Sequence, residues 1–285
     1  MNRDAFARRI LRPLWRLVLP LYLFVIKHTR RLDPGSVTFR HTTGRERVVE
    51  RLFTENSRLA VILALGASNI ANEGDPHGMF VPLPGVYNFN FIDGRCYVAK
   101  DPLLGATRNR SNFLTRLGDL LVRRGMYDRV LLVPIAYGGT FAAEWTPRGR
   151  MHPRLQRALK MLARRGIALT HVLWQEGEAE AAERDVDPQA WIAHFNAVAD
   201  TIRAATHGSA IYVAQCTICR NPPNDIIRAA QREVIDLSRR IFAGPDLDVI
   251  GIKDRWDQCH FSAAGLDQAA ELWLTSITEV GRPTD

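Results

Sequence analysis

The sequence has no apolar run long enough to span a bilayer. Its N-terminal run, Leu17 to Ile26 (LVLPLYLFVI), has 10 residues, where a spanning helix takes about 20. That length fits a signal-peptide core, but Lys-His-Thr-Arg-Arg comes next, with no small-residue cleavage site. A basic face that would take nucleic acid is also missing. Of the net charge of +8, residues 1–31 supply +7, from seven arginines and Lys27 against Asp4 alone. The remaining 254 residues carry +1, which excludes DNA or RNA as a partner. Internal repeats are absent, so a solenoid or propeller is excluded.

Cysteine is scarce: Cys96, Cys216, Cys219 and Cys259 are the only four in 285 residues. Their spacing is not that of a zinc site. The Cys216-x-x-Cys219 pair is followed by Arg220-Asn-Pro-Pro, whereas a thioredoxin-type motif opens a helix. One or two disulfides are expected if the domain is exported, and four thiols if it is not.

What is present divides the chain into an arm (1–31), a polar connector (32–57) and a domain (58–285). Arg8, Arg12 and Arg16 line one stripe of a helix beside Ile10, Leu11, Leu14 and Trp15. The arm therefore reads as an uncleaved signal anchor, an interfacial helix on an anionic membrane surface, or a segment packed on protein. Cations flank the run at both ends, so the side of the membrane, periplasmic or other, stays open.

From Arg58 onward, β-branched runs alternate with amphipathic segments. Val61–Leu65, Val86–Ile92, Arg129–Ala136, Ile167–Trp174, Ala210–Gln215 and Leu247–Ile252 read as strands. Asn112–Arg123, Pro153–Arg165, Pro188–Ala205, Ile226–Phe242 and Ala263–Val280 read as helices. This alternation predicts one α/β domain: a parallel sheet between two helical layers, with ligands bound at the carboxyl ends of the strands. The polar clusters fall where strands stop: Ser68-Asn69, Gly138-Gly139-Thr140, Gln175 to Glu178, and Asp257 to His260.

Ser68 comes after a strand at Gly66-Ala67, where small residues permit a sharp turn, the setting of an exposed nucleophile beside backbone N–H donors. A serine needs a base, and the base needs a carboxylate to hold its tautomer. Among eight histidines, only His260 lies between the last strand and last helix with an aspartate, Asp257, three residues before it.

Together these segments resemble the SGNH (GDSL-like) hydrolase superfamily, and most closely its carbohydrate-esterase branch, the sialate O-acetylesterase and acetylxylan-esterase type. The matching segments are Gly66-Ala67-Ser68-Asn69, Gly138-Gly139-Thr140 with Trp145, Trp174 to Glu180, Arg228-Ala-Ala-Gln231, and Asp257 to His260. The resemblance implies a three-layer α/β/α sandwich with a flavodoxin-like sheet. It implies Ser68 as nucleophile, His260 as base and Asp257 as orienting carboxylate, with no metal or cofactor. The substrate would be an acylated carbohydrate or another small ester. For the oxyanion and substrate contacts it points to Gly105 (Asn109 and Ser111 being neighbouring alternatives), Gln175 or Glu176, Asn69 and Gly139. Two positions depart from the family pattern: Ala67 replaces glutamine, and Glu176 stands where the family has an amide donor. A carboxylate donates to an oxyanion only when protonated. An O-acyltransferase using the same triad, or a catalytically silent carbohydrate-binding or assembly protein, are the alternatives to hydrolysis.

Overall fold

The computed structural model describes residues 38–54, 58–183, 185–206 and 208–279. The expected arm of residues 1–31 lies outside them, as do connector residues 32–37 and 55–57. Among the described residues, no helix is long and apolar enough to cross a membrane.

Eight strands form one sheet: β1 (Arg47–Val48), β2 (Leu59–Gly66), β3 (Val86–Asn90), β4 (Arg95–Val98), β5 (Arg129–Pro134), β6 (His171–Gln175), β7 (Ala210–Gln215) and β8 (Ile241–Asp246). Their spatial order is β1-β4-β3-β5-β2-β6-β7-β8. The strands β5-β2-β6-β7-β8 are all parallel and reproduce the flavodoxin-like order 2-1-3-4-5. Beside β5, β3 adds a further parallel strand, and β4 and β1 continue the edge antiparallel. Every residue of β2 after Leu59 is buried, as a strand covered on both faces requires.

Helices α1 (Phe113–Arg123) and α6 (Ala263–Glu279) cover one face. Their apolar stripes meet Ile62, Leu132, Leu173 and Tyr212, with Phe113 stacked on Trp273. Helices α2 (His152–Arg164), α4 (Pro188–Ala205) and α5 (Asp225–Glu233) cover the other, on Leu63, Val133, Trp174 and Val213. A one-turn helix, α3 (Glu178–Ala181), succeeds β6.

The polar stretch 38–54 joins this domain. Thr38 bridges Thr107, and β1 pairs with β4. Arg45 donates to the carbonyls of Lys100 and Pro102. The compact unit accordingly begins at Thr38.

The last strand differs from the sequence expectation. Helix α5 stops at Glu233, and Asp236 caps a short turn over Leu237–Arg239. β8 then forms from Ile-Phe-Ala-Gly-Pro-Asp, while the more strand-like Leu247–Val249 is a single 3₁₀ turn. As an edge strand, β8 tolerates the glycine and proline that hide it in the sequence.

The β2–β6 pair positions the turn at Ser68. Gly66 pairs with Gln175 at φ +132°, and a Cβ there would fall 1.9 Å from the Gln175 carbonyl oxygen. Only glycine lets the strands stay paired to their ends. Ala67 N–H then donates to the same carbonyl, and the chain turns at Ser68, at the topological switch point of the sheet.

Candidate active site

Ser68 opens a 3₁₀ turn, Ser68–Ile70, and is half-buried. The segment behind it is fastened to the loop that carries His260. Asn69 Nδ2 donates to the carbonyl of Cys259 (3.3 Å) and to Glu178 Oε1 (3.1 Å). Further along, Asp75 N–H donates to the Phe261 carbonyl at 3.0 Å. Asn69 is therefore a buried tie between loops, its amide nitrogen already engaged.

His260 and Asp257 form a closed unit. His260 Nδ1 lies 2.8 Å from Asp257 Oδ2, and Asp257 Oδ1 accepts the backbone N–H groups of Cys259 (3.1 Å) and His260 (2.7 Å). Burial pushes the Asp257 carboxyl up, but its bonds to His260 outweigh that and hold it below the usual aspartate range. An ionised Asp257 fixes the proton on Nδ1 and leaves Nε2 with the lone pair. Arg220 stands 3.5 Å from Asp257 at the rim.

Arg255 holds this loop in shape. Its guanidinium, buried except for 5% of the residue surface, donates to the carbonyls of Leu247, Ile250, Ile218 and Cys259. A Cys219–Cys259 disulfide fixes the residue just before His260 to the loop after β7. Cys216, the nearer partner of Cys219 in sequence, is buried with a free thiol, as is Cys96. The bridge closes 40 residues, which corresponds to about 4 kcal/mol of unfolded-state entropy. Reduction is expected to lower unfolding stability by about that amount in denaturant titrations. The accessible thiol count in denaturant should rise from two to four; four thiols in unreduced protein would refute the bridge.

Gly105 departs from the expectation. Its N–H donates to the Phe39 carbonyl (3.0 Å) and its own carbonyl accepts from Arg154, so the residue belongs to the packing of the 38–54 stretch. It has no N–H left for an oxyanion. Of the alternatives, Ser111 donates to the Asp75 carbonyl at 2.6 Å, and Asn109 is exposed on the neighbouring loop.

Gln175 and Glu176 are also corrected as substrate contacts, because both are 0% exposed and present no atom to a ligand in this conformation. Among the described residues, neither end of the Gln175 amide has a hydrogen-bond partner. Glu176 Oε2 lies 2.8 Å from Thr140 Oγ1. That hydroxyl also lies 2.9 Å from the Tyr137 carbonyl and accepts from Trp145 Nε1. A hydroxyl has one proton to give, and a carbonyl only accepts. A protonated Glu176 that donates to Thr140 lets Thr140 donate to Tyr137. Burial raises the Glu176 carboxyl well above its ordinary range, and the nearby carboxyls of Glu180 and Glu178 push it the same way. Glu180 itself is raised to about 7, chiefly by burial.

This sets a pH dependence. A carboxyl whose pKa is raised on folding contributes stability that is fully present below its unfolded value and is lost as pH climbs through the folded value. Glu176→Gln places an N–H donor where the acid holds its O–H and has nothing to titrate. Its melting temperature is expected to exceed that of wild type by a margin that widens from pH 5 to pH 8. A margin independent of pH would show that Glu176 is not protonated in the fold. The motif Arg228-Ala-Ala-Gln231 supports this turn from behind. Gln231 Nε2 donates to the Glu176 carbonyl, and Arg228 pairs with Asp246 and Asp248.

Gly139 lies open: no atom stands within 4 Å of a Cβ built there, and its φ is +71°. Its neighbour Gly138 is covered by a side chain that no sequence motif marks. Glu73 Oε1 lies 1.9 Å from where a Gly138 Cβ would be, and Glu73 Oε2 lies 3.5 Å from His260 Nε2. Beside them, Trp256 is 39% exposed, stacks on His260 with ring centroids 6.2 Å apart, and lies under the Arg110 guanidinium. The one sign of Glu73 in the sequence is its charge: it is an acid in the otherwise uncharged stretch Leu59–Gly74.

A parallel sheet of flavodoxin-like order, with a serine at its switch point and an Asp–His pair on the loop after the last strand, defines an ester hydrolase of the SGNH, or GDSL-like, class. Residues 98–277 match the family model described as carbohydrate esterase, sialic acid-specific acetylesterase. The chain belongs to that family and is a carboxylic ester hydrolase. The matched stretch contains His260 and Asp257 and begins after Ser68. No curated protein matches the sequence. Among solved structures, a protein from Arabidopsis thaliana is 17% identical, with 79% of this chain and 98% of that one aligned at a TM-score of 0.63. The psychrotrophic esterase EstA from Pseudoalteromonas sp. is 16% identical over 77% of this chain and 97% of its own, at a TM-score of 0.50. A carbohydrate acetylesterase from Xanthomonas citri is 14% identical over 78% of this chain and 56% of its own, at 0.53. At these identities the likeness is one of fold.

Proposed function

We propose that the chain is a serine esterase that removes acetyl or another short acyl group from a carbohydrate hydroxyl. The observation that carries this reading is the 2.8 Å Asp257–His260 pair, held by Asn69 against the turn that begins at Ser68. His260 Nε2 takes the Ser68 hydroxyl proton as Oγ bonds to the ester carbonyl carbon. The tetrahedral adduct collapses, the C–O bond to the sugar breaks, and the sugar oxygen takes the proton from Nε2. Water, deprotonated by the same nitrogen, then adds to the acyl carbon, the C–Oγ bond breaks to release the acid, and Ser68 Oγ takes back the proton from Nε2. The Ser68 backbone N–H, at the start of its turn, is the first donor to the oxyanion.

The match of residues 98–277 to a carbohydrate-esterase family model favours a carbohydrate alcohol over a lipid one. The Cys219–Cys259 bridge favours an exported domain, since such bridges persist in oxidising compartments. An arm of residues 1–31 at an anionic membrane surface is consistent with that side. The test is release of acetate from O-acetylated sugars by wild type, with Ser68→Ala as the control. Folded wild type that releases none, and is not labelled by a fluorophosphonate, would overturn the proposal.

A further inference from the structure

Glu73 takes no part in the proton transfers proposed for Ser68 and His260, yet its carboxylate stands against the very nitrogen that performs them. Its side chain is held from four sides. Thr107 Oγ1 lies 3.4 Å from Oε1, the bare Cα of Gly138 leaves the space that Oε1 fills, and Arg108 Nε lies 3.9 Å from Oε2. His260 Nε2, at 3.5 Å, closes the fourth side. The Glu73 backbone is fixed as well, because its carbonyl accepts from Trp256 Nε1 at 3.3 Å. Nε2 of His260, the proposed acceptor of the Ser68 proton, faces the Glu73 carboxyl at 3.5 Å and lies 4.0 Å from Cys259 Sγ.

We infer that Glu73 is a positioning residue that holds Nε2 of His260 in the free enzyme and must swing aside before His260 can take the Ser68 proton. The inference rests on the serine-esterase reading.

The proton count supports it. Asp257 keeps a proton on Nδ1, so a neutral His260 has only the Nε2 lone pair with which to act as a base. A protonated Glu73 turned toward Nε2, or a proton on Nε2 facing an ionised Glu73, would occupy that lone pair. Burial raises the Glu73 carboxyl above its ordinary range, and His260 and Arg108 lower it, so the acid form is within its reach. A route out exists too: Arg108 lies on the exposed side of the carboxylate, with its own side chain 44% exposed. A substrate that enters beside Gly138 displaces Glu73 toward Arg108 and frees Nε2 in the same movement. Free enzyme would then keep its serine unactivated, and substrate would activate it.

The experiment compares wild type, Glu73→Gln and Glu73→Ala, with Ser68→Ala as the blank. Second-order rates of fluorophosphonate labelling are measured together with melting temperatures. If the held state dominates the free enzyme, both variants are labelled about tenfold faster at unchanged melting temperature, because a larger fraction of molecules is competent. The ¹⁵N resonance of His260 Nε2 is followed in Ser68→Ala with and without Glu73→Gln. It should move when Glu73 is replaced while Nδ1 stays, a signature that a purely structural role would not give. Labelling of both variants at or below the wild-type rate, or an unmoved Nε2 resonance, overturns the inference alone. No labelling of any chain overturns the serine-esterase reading and this inference with it.

Discussion

Ser68→Ala and His260→Ala are each expected to lower ester turnover by at least about 10⁴-fold, and Asp257→Asn by about the same factor. The reason differs at each position. Without Ser68 there is no oxygen to acylate, and only binding and oxyanion stabilisation remain. Without His260 the serine keeps its proton. In Asp257→Asn the side chain keeps its shape, but the amide no longer obliges Nδ1 to carry the proton, so Nε2 loses its lone pair in the wrong tautomer. On the proposed mechanism the three act as one unit, so the double variant Ser68→Ala/His260→Ala should be little worse than either single one. Steady-state hydrolysis of p-nitrophenyl acetate and of an O-acetylated sugar reads all of these. Independent, multiplying losses would show that the residues do not form a relay. Full activity in Ser68→Ala would move the nucleophile elsewhere.

Arg255→Ala should cost about 5 kcal/mol of folding stability, a large share of the roughly 5–15 kcal/mol that folded domains have. Four carbonyls, from Leu247, Ile250, Ile218 and Cys259, converge on one buried guanidinium. Each bond to a charged donor contributes about 1.5–3 kcal/mol, and the losses overlap rather than add. Arg255→Lys keeps the charge but reaches fewer of the carbonyls with a single ammonium group, so it should fall between alanine and wild type. Guanidinium unfolding curves measure the difference. An alanine variant within about 1 kcal/mol of wild type would mean that water replaces the guanidinium at no loss. If Arg255→Lys folds, its reduced turnover at saturating substrate would trace to His260, whose loop Arg255 holds through Cys259.

Periodicity gave the layers and most of the elements, because burial on both faces of β2, β5 and β6 leaves apolar runs that no other arrangement requires. The Asp257–His260 pair was legible because both residues lie on one short loop. Gly105, Gln175 and Glu176 were misplaced for a shared reason. Whether such a group faces substrate depends on segments distant in sequence: Phe39 takes the Gly105 N–H, Thr140 meets the Glu176 carboxyl, and the fold buries the Gln175 side chain completely. Neither contact has a local pattern. Glu73 escaped notice for the converse reason. Five residues after Ser68 it looks like ordinary loop charge, and only the missing side chain of Gly138 makes room for it beside His260. The sheet edge was hidden too, since a two-residue β1 leaves no periodicity to read.

The bridge between Cys219 and Cys259 also bears on how the protein must be produced. As the chain emerges, Cys219 meets Cys216 long before Cys259 exists, and a three-residue spacing invites premature pairing. What withholds Cys216 is Gln231, which accepts from its N–H, donates to its carbonyl and lies 3.9 Å from its sulfur. That protection arises only after α5 has docked on β7. In an oxidising compartment an oxidant faster than this docking would trap the short loop, and thiol–disulfide exchange would then be needed to undo that first bond.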